Sequence, residues 1–178
     1  MASAWIVKRI NKRYFLIAGK RIFNCQIGDN GTKPVSKKIE GDRTTPIGIF
    51  KLYSIYFRNE KVLRSHIKKY HTLKLNKITK NSGWCDDINS NHYNKYIDIN
   101  KSLFKNTHYE NLWREDNAYD IIIIISHNIK PTIKNKGSAI FIHCSFSDNG
   151  NTAGCIALKK KDLVFLLKNY KNNIYIKI

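Results

Sequence analysis

Hydrophobic and polar positions alternate first with the period of a strand. Ala4 to Lys8 and Tyr14 to Ala18 are short apolar runs, and Asn11-Lys12 between them suits a tight turn. Gly19-Lys20 makes a second turn into Arg21 to Ile27, where Ile22, Cys25 and Ile27 are apolar. The pattern predicts a meander of antiparallel strands that ends in the loop Gly28-Asp29-Asn30-Gly31. The turn-rich segment Gly41 to Phe50 then leads into a strand from Ile47 to Phe57. In that segment Asp42, Thr44 and Thr45 are suited to bonding their own backbone, Pro46 fixes φ, and Gly48 lets another stretch of chain approach closely.

Periodicity weakens from Asn59 to about Asn117. Glu60 to Leu75 has mixed polarity, and Asn81 to Tyr96 reads as loop with Trp84, Cys85 and Tyr93 inside it. Ser102 to Glu115 reads as a short helix, with Leu103, Leu112 and Trp113 supplying part of an apolar face. An irregular insert of this length in a compact domain suits a lid or binding loop. Order returns at Tyr119 to Ser126, a continuous apolar run with β-branched residues throughout its middle, which predicts a strand buried on both faces. Ser138 to Ser145 reads as a second core strand. Asp162 to Tyr170 reads as a helix with Leu163, Leu166 and Leu167 on one face, and Asn173 to Ile178 as a closing, alternating strand. The expectation is a mainly β fold, sandwich- or barrel-like, in one domain spanning 1–178, with a few short helices.

Composition narrows the classes. The 178 residues suffice for one domain with a real core, and 42% hydrophobic content excludes a disordered chain. The net charge of +19 points to an anionic partner, yet Lys, Asn and Ile are used heavily everywhere. Compositional bias therefore accounts for more of the charge than a partner does. Short basic runs such as Lys68-Lys69 and Lys159-Lys160-Lys161 come without a nucleic-acid-binding motif, so no specific nucleic acid is expected. The longest apolar run, Ile121 to Ile125, is far shorter than the roughly 20 residues of a membrane span. Lys8 and Arg9 interrupt the first apolar run, so no signal peptide is visible. Cys25, Cys85, Cys144 and Cys155 lack CxxC spacing; no zinc site is expected, and no disulfide scaffold is needed.

The chemistry concentrates near the C-terminal end. The strand Ile140-Phe141-Ile142 ends in His143, and Cys155 follows Gly154 twelve residues later, so one loop can bring imidazole and thiol together. A cysteine nucleophile needs a base, backbone N–H groups for an oxyanion, and small neighbours that admit a carbonyl. His143 is a candidate for the first, the N–H groups of Gly154 and Cys155 for the second, and Ala153 with Gly154 for the third. The other ring nitrogen of His143 needs an acceptor: Asp148 is the nearest carboxylate, and a backbone carbonyl such as that of Cys144 serves equally. On spacing alone an inert buried cysteine and a structural histidine remain open. Cys144 is the rival nucleophile, but strand alternation points it away from the His143 face.

His143, the loop, Thr152-Ala153-Gly154-Cys155-Ile156-Ala157-Leu158 and Asp162 together resemble the YkuD-type L,D-transpeptidase catalytic domain. Gly41-Asp42-Arg43-Thr44-Thr45-Pro46-Ile47-Gly48-Ile49-Phe50 is similar to that family's upstream Gly-Asp-x-x-Thr-Pro-x-Gly-x-Phe segment. Trp84-Cys85-Asp86-Asp87 and Leu112-Trp113-Arg114-Glu115-Asp116 resemble one branch of it. The chain departs from the common pattern at Ala153, Ala157 and Cys144, where many members carry His, Arg and Gly.

The resemblance implies a β-rich fold and acyl transfer on peptidoglycan stem peptides, with Cys155 as nucleophile, His143 as base, and no metal or cofactor. Arg43 and Arg114 are candidate contacts for substrate carboxylates, with Trp84 and Trp113 as apolar walls. The family implies a bacterial envelope or periplasmic location, the alternative being cytoplasmic, and a monomer is expected. An L,D-carboxypeptidase using the same site and a non-catalytic wall- or polyanion-binding module remain the alternatives.

Overall fold

The computed structural model describes residues 4–62, 73–145, 150–169 and 175–178. The predicted meander is present as β1 (Ala4–Ile10), β2 (Arg13–Ala18) and β3 (Arg21–Gln26), paired antiparallel in that order. Both joining turns use left-handed backbone, at Asn11 and Lys12 and again at Gly19. After β4 (Thr32–Pro34), the strand expected from Ile47 is split at Gly48 into β5 (Thr45–Ile47) and β6 (Ile49–Phe57). A Cβ on Gly48 would lie 2.8 Å from the ring of Phe50, so its close neighbour is its own strand's core aromatic.

The remaining elements are β7 (Lys74–Lys77), β8 (Ser82–Cys85), β9 (Lys95–Asp98), β10 (Tyr109–Asn111), β11 (Ile121–Ile125), β12 (Phe141–Cys144), β13 (Ile156–Leu158), α1 (Lys160–Lys168) and β14 (Tyr175–Lys177). The large sheet has nine strands in the order β11-β12-β13-β3-β2-β1-β14-β6-β7. An additional antiparallel pairing of β11 with β6 closes the strands from β11 to β6 into a barrel-like ring. The fold is mainly β, as the sequence predicts.

Closure determines which side chains are inside. Trp5, Val7, Leu16, Leu52, Ile55, Ile142, Cys144 and Ile156 form the barrel core, completed by Leu163, Leu166 and Leu167 of α1. Strand β11 serves two cores: Ile121, Ile123 and Ile125 enter the barrel, while Ile122 and Ile124 join Trp84, Leu112, Tyr119, Phe141 and Cys155 on its outer side. This is the two-faced burial that a continuous isoleucine run requires. A small sheet, β10-β8-β9, lies over that outer side, with the Trp84 ring edge-on to Phe141 at 5.3 Å.

Two expectations fail in the insert. Ser102 to Glu115 is not a helix: a 3₁₀ turn, Ser102–Phe104, is followed by strand β10. Asn81 to Tyr96 is not simply loop, because β8 lies within it and β9 begins at its end. These strands are too short for a period, and β8 contains Gly83, where a Cβ would meet Ile99 at 2.8 Å. The Lys68-Lys69 run, Asp148, Tyr170, Asn173 and Ile174 lie outside the described residues.

Candidate active site

The upstream segment folds around one carboxylate. Asp42 accepts hydrogen bonds from the N–H groups of Ile39 and Thr44, from Thr44 Oγ1, and from the ammonium groups of Lys33 and Lys38. Burial raises its pKa, but the bonds from Lys38, Thr44 and the backbone outweigh it and hold the carboxyl well below the usual range. Gly41 and Arg43 flank it with left-handed backbone, at φ +72° and +57°. The turn thereby presents the fully buried Thr45, whose Oγ1 accepts from Gly28 N–H at 2.9 Å and donates to the Gly154 carbonyl at 2.8 Å.

That bond fixes the cysteine turn from one side, and Thr152 fixes it from the other. Thr152 exchanges backbone bonds of 2.9 Å with Ile27 and Asp29. Its hydroxyl donates to the Cys155 carbonyl at 2.7 Å and accepts from Gly154 N–H at 3.1 Å. Gly154 has φ +137°, and a Cβ there would stand 3.0 Å from the Thr44 carbonyl oxygen. A glycine is required on both counts.

Cys155 and His143 line the same cleft, of about 440 Å³, between the barrel wall and the insert. The Cys155 thiol donates to the Ala139 carbonyl at 3.0 Å, and the Phe141 N–H donates to its sulfur at 3.3 Å. Burial pushes this thiol up to about 12, with the Phe141 bond opposing. His143 stands at the end of β12, its ring edge-on to Tyr119 at 5.1 Å. Burial lowers its pKa to about 4, against hydrogen bonds that the ring donates to the backbone of Cys144 and Ala118. Its Nδ1 lies 2.8 Å from the Cys144 carbonyl. A carbonyl only accepts, so Nδ1 carries the proton and Nε2 keeps the lone pair. The site at rest is a neutral thiol and a neutral imidazole. Cys144 lies in the barrel core, on the opposite face of β12.

Of the other sequence candidates, Arg43 and Arg114 line the cleft; Trp84 and Trp113 do not. Arg43 pairs with Asp29, its Nε 2.7 Å from the carboxylate. Arg114 is held by Asp116 and Glu110 and lies 5.1 Å from the Tyr119 ring centre. Trp84 is buried behind the cleft with its indole N–H on Asn94, and Trp113 stacks under the Arg58 guanidinium at 3.9 Å. Ala153 faces the cleft, whereas Ala157 is buried in β13 beside His143. Sequence reasoning missed Lys38, Glu110, Tyr119 and Ser138 as cleft residues. Two carried a signal: Lys38 is spaced i,i+4 from Asp42, and Glu110 i,i+4 from Arg114. The described residues contain no group of His, Cys, Asp or Glu that could hold a metal ion.

The barrel with its insert and the thiol–imidazole cleft define a β-rich catalytic-domain fold assembled around one cysteine turn. The chain belongs to the L,D-transpeptidase catalytic domain family (YkuD), whose model matches residues 3–176. Nothing among curated proteins matches it. Several solved structures are similar, among them two of L,D-transpeptidases. Mycobacterium tuberculosis L,D-transpeptidase 1 is 12% identical, with a TM-score of 0.43, over 99% of this chain and 60% of that one. The LD transpeptidase LdtMt1 in complex with imipenem is 12% identical, with a TM-score of 0.44, over 99% of this chain and 58% of that one. The chain thus spans about 60% of the length of these structures.

Proposed function

We propose that the protein is a cysteine L,D-transpeptidase acting on peptidoglycan stem peptides in the bacterial cell envelope. The observation that carries this reading is the shared cleft of Cys155 and His143, with the cysteine turn locked to the family's upstream segment through Thr45. His143 Nε2 takes the thiol proton as Cys155 Sγ attacks the carbonyl between the L-centre of diaminopimelate and the terminal D-alanine. The oxyanion is held by the Cys155 N–H, since that of Gly154 is engaged by Thr152. The imidazolium returns its proton to the departing D-alanine amine, leaving a thioester. A second stem's amine then attacks the thioester, forming the cross-link and regenerating the thiol.

Arg43 and Arg114 favour anionic groups of the stem at the cleft mouth. Water in place of the amine would make the same site an L,D-carboxypeptidase. Disaccharide-tetrapeptide incubated with the protein separates the two readings by mass spectrometry: dimer with released D-alanine for transfer, tripeptide for hydrolysis. Imipenem should leave a covalent adduct on Cys155. If Cys155→Ala retains product and adduct, the nucleophile is misassigned; if the unsubstituted protein gives neither, a non-catalytic wall-binding role gains ground.

A further inference from the structure

The side of the barrel formed by β1, β2, β3, β14 and β6 has an unusual outer face. Strand register places Ile22, Ile17, Ile6, Lys177 and Ile49 side by side across it. Ile6, Ile22 and Ile49 are 38%, 61% and 68% exposed. The neighbouring rows on the same face are Lys8, Phe15 and Asn24 on one side, and Lys51, Tyr175 and Ala4 on the other. The result is an apolar band with Lys177 within it and one lysine, Lys8 or Lys51, in each bordering row.

Charge on these strands is of one sign. The chain has 13 acidic residues, and none falls on β1, β2, β3, β6, β14 or the two turns of the meander. The same stretches carry Lys8, Arg9, Lys12, Arg13, Lys20, Arg21, Lys51 and Lys177. Compositional bias explains many lysines but not the exclusion of every carboxylate from one wall. Among the described residues none of these cations is ion-paired; Arg9, Arg21 and Lys51 lie near the rings of Tyr14, Phe165 and Tyr175 instead.

We propose that this wall is a docking face for an anionic lipid bilayer, on which the isoleucine row enters the interface while the surrounding Lys and Arg meet the headgroups. An apolar band with cationic borders fits an interface that is apolar within and negative at its surface. A second copy of the chain fits poorly, because two such faces would bring like charges together without a carboxylate between them. Nucleic acid would use the cations but leave the isoleucines without a partner. The proposal is independent of the reaction at Cys155.

The test is flotation of the full chain with vesicles of phosphatidylcholine, alone or with about one-third phosphatidylglycerol. Binding is expected to the mixed vesicles only. The triple variant Ile6→Ser, Ile22→Ser, Ile49→Ser should weaken it at least about tenfold. Lys8→Gln, Lys51→Gln, Lys177→Gln should weaken it about fivefold for each charge removed. The control Lys80→Gln, Lys95→Gln, Lys105→Gln, on exposed residues elsewhere, should have a much smaller effect. All variants are checked for an unchanged melting temperature. Equal losses from the control set, no loss from the serine set, or a dimer that the serine set dissolves would each overturn the proposal. So would DNA binding that weakens in parallel in the serine variant.

Discussion

The Thr45 hydroxyl donates a 2.8 Å hydrogen bond to the carbonyl of Gly154, a residue 109 positions later and next to Cys155. The same oxygen accepts from Gly28 N–H, so one buried side chain ties the meander, the upstream turn and the cysteine turn together. Thr45→Val keeps the shape and leaves two buried backbone groups unsatisfied. A loss of about 2 kcal/mol is expected in urea unfolding, with slower acylation of Cys155. Thr45→Ser should restore most of both.

Gly154→Ala should be worse than its single methyl suggests. It combines a φ of +137° with a Cβ 3.0 Å from the Thr44 oxygen. We expect a cost of about 1–3 kcal/mol and near-complete loss of Cys155 acylation, because the turn must move to relieve the contact. Gly41→Ala is the control: its φ is also positive, but no atom lies within 4 Å of the added carbon. Its cost should be at or below about 1 kcal/mol.

The buried His143 makes stability depend on pH in a defined window. Its ring has a folded pKa of about 4, below the ordinary value of 6.5, so the unfolded chain binds the extra proton between them. The contribution is fully present above pH 6.5 and is lost as pH falls toward 4, amounting to about 3 kcal/mol. Other groups titrate in the same range, so the measured quantity is the difference between wild type and His143→Gln. That difference should shrink from pH 7 to pH 4 and stay level below.

Cys155 should be a poor nucleophile toward small alkylating agents despite lying in a cleft. With its thiol pushed up to about 12 by burial, the thiolate fraction near pH 8 is lower than in an unfolded cysteine by a factor of about 10³. Iodoacetamide labelling of Cys155, followed by peptide mapping, should be at least about a hundredfold slower in the native protein than in urea. Labelling at the rate of a free thiol would show that the cysteine rests as an ion pair with His143, contrary to the burial of both groups.

The parts legible in the sequence are those whose side chains repeat. The β1–β3 meander, the doubly buried β11 and the leucine face of α1 all follow from periodicity, because each repeat faces one environment along its whole length. The insert resisted because β8, β9 and β10 are three or four residues long and are stabilised by tertiary cover over Phe141 and Trp84. Leu112 and Trp113 invited a helix, yet Leu112 is buried just after β10 and Trp113 is half-buried under the Arg58 guanidinium.

The site divides in the same way. Cys155, Gly154 and His143 form a compact signal on one stretch of chain. Lys38, Ser138 and Tyr119 reach the cleft only because separate segments converge there. Lys38 is the extreme case: a lysine 2% exposed, set apart from the solvated lysines around it only by its i,i+4 spacing from Asp42. Its environment exists because Asp42 folds the turn back onto it.

The closed barrel has a consequence for the order in which a new chain matures. Strand β13, which leads out of the cysteine turn, pairs with β12 on one side and with β3 on the other. Strand β14, from the final residues, pairs with β1 and β6 to complete the ring. During synthesis the cysteine therefore emerges before the barrel wall that supports its turn can shut. A product truncated after Cys155 lacks β13 and β14 and cannot close the ring, so the sheet on which the cysteine turn rests is complete only once both have been made.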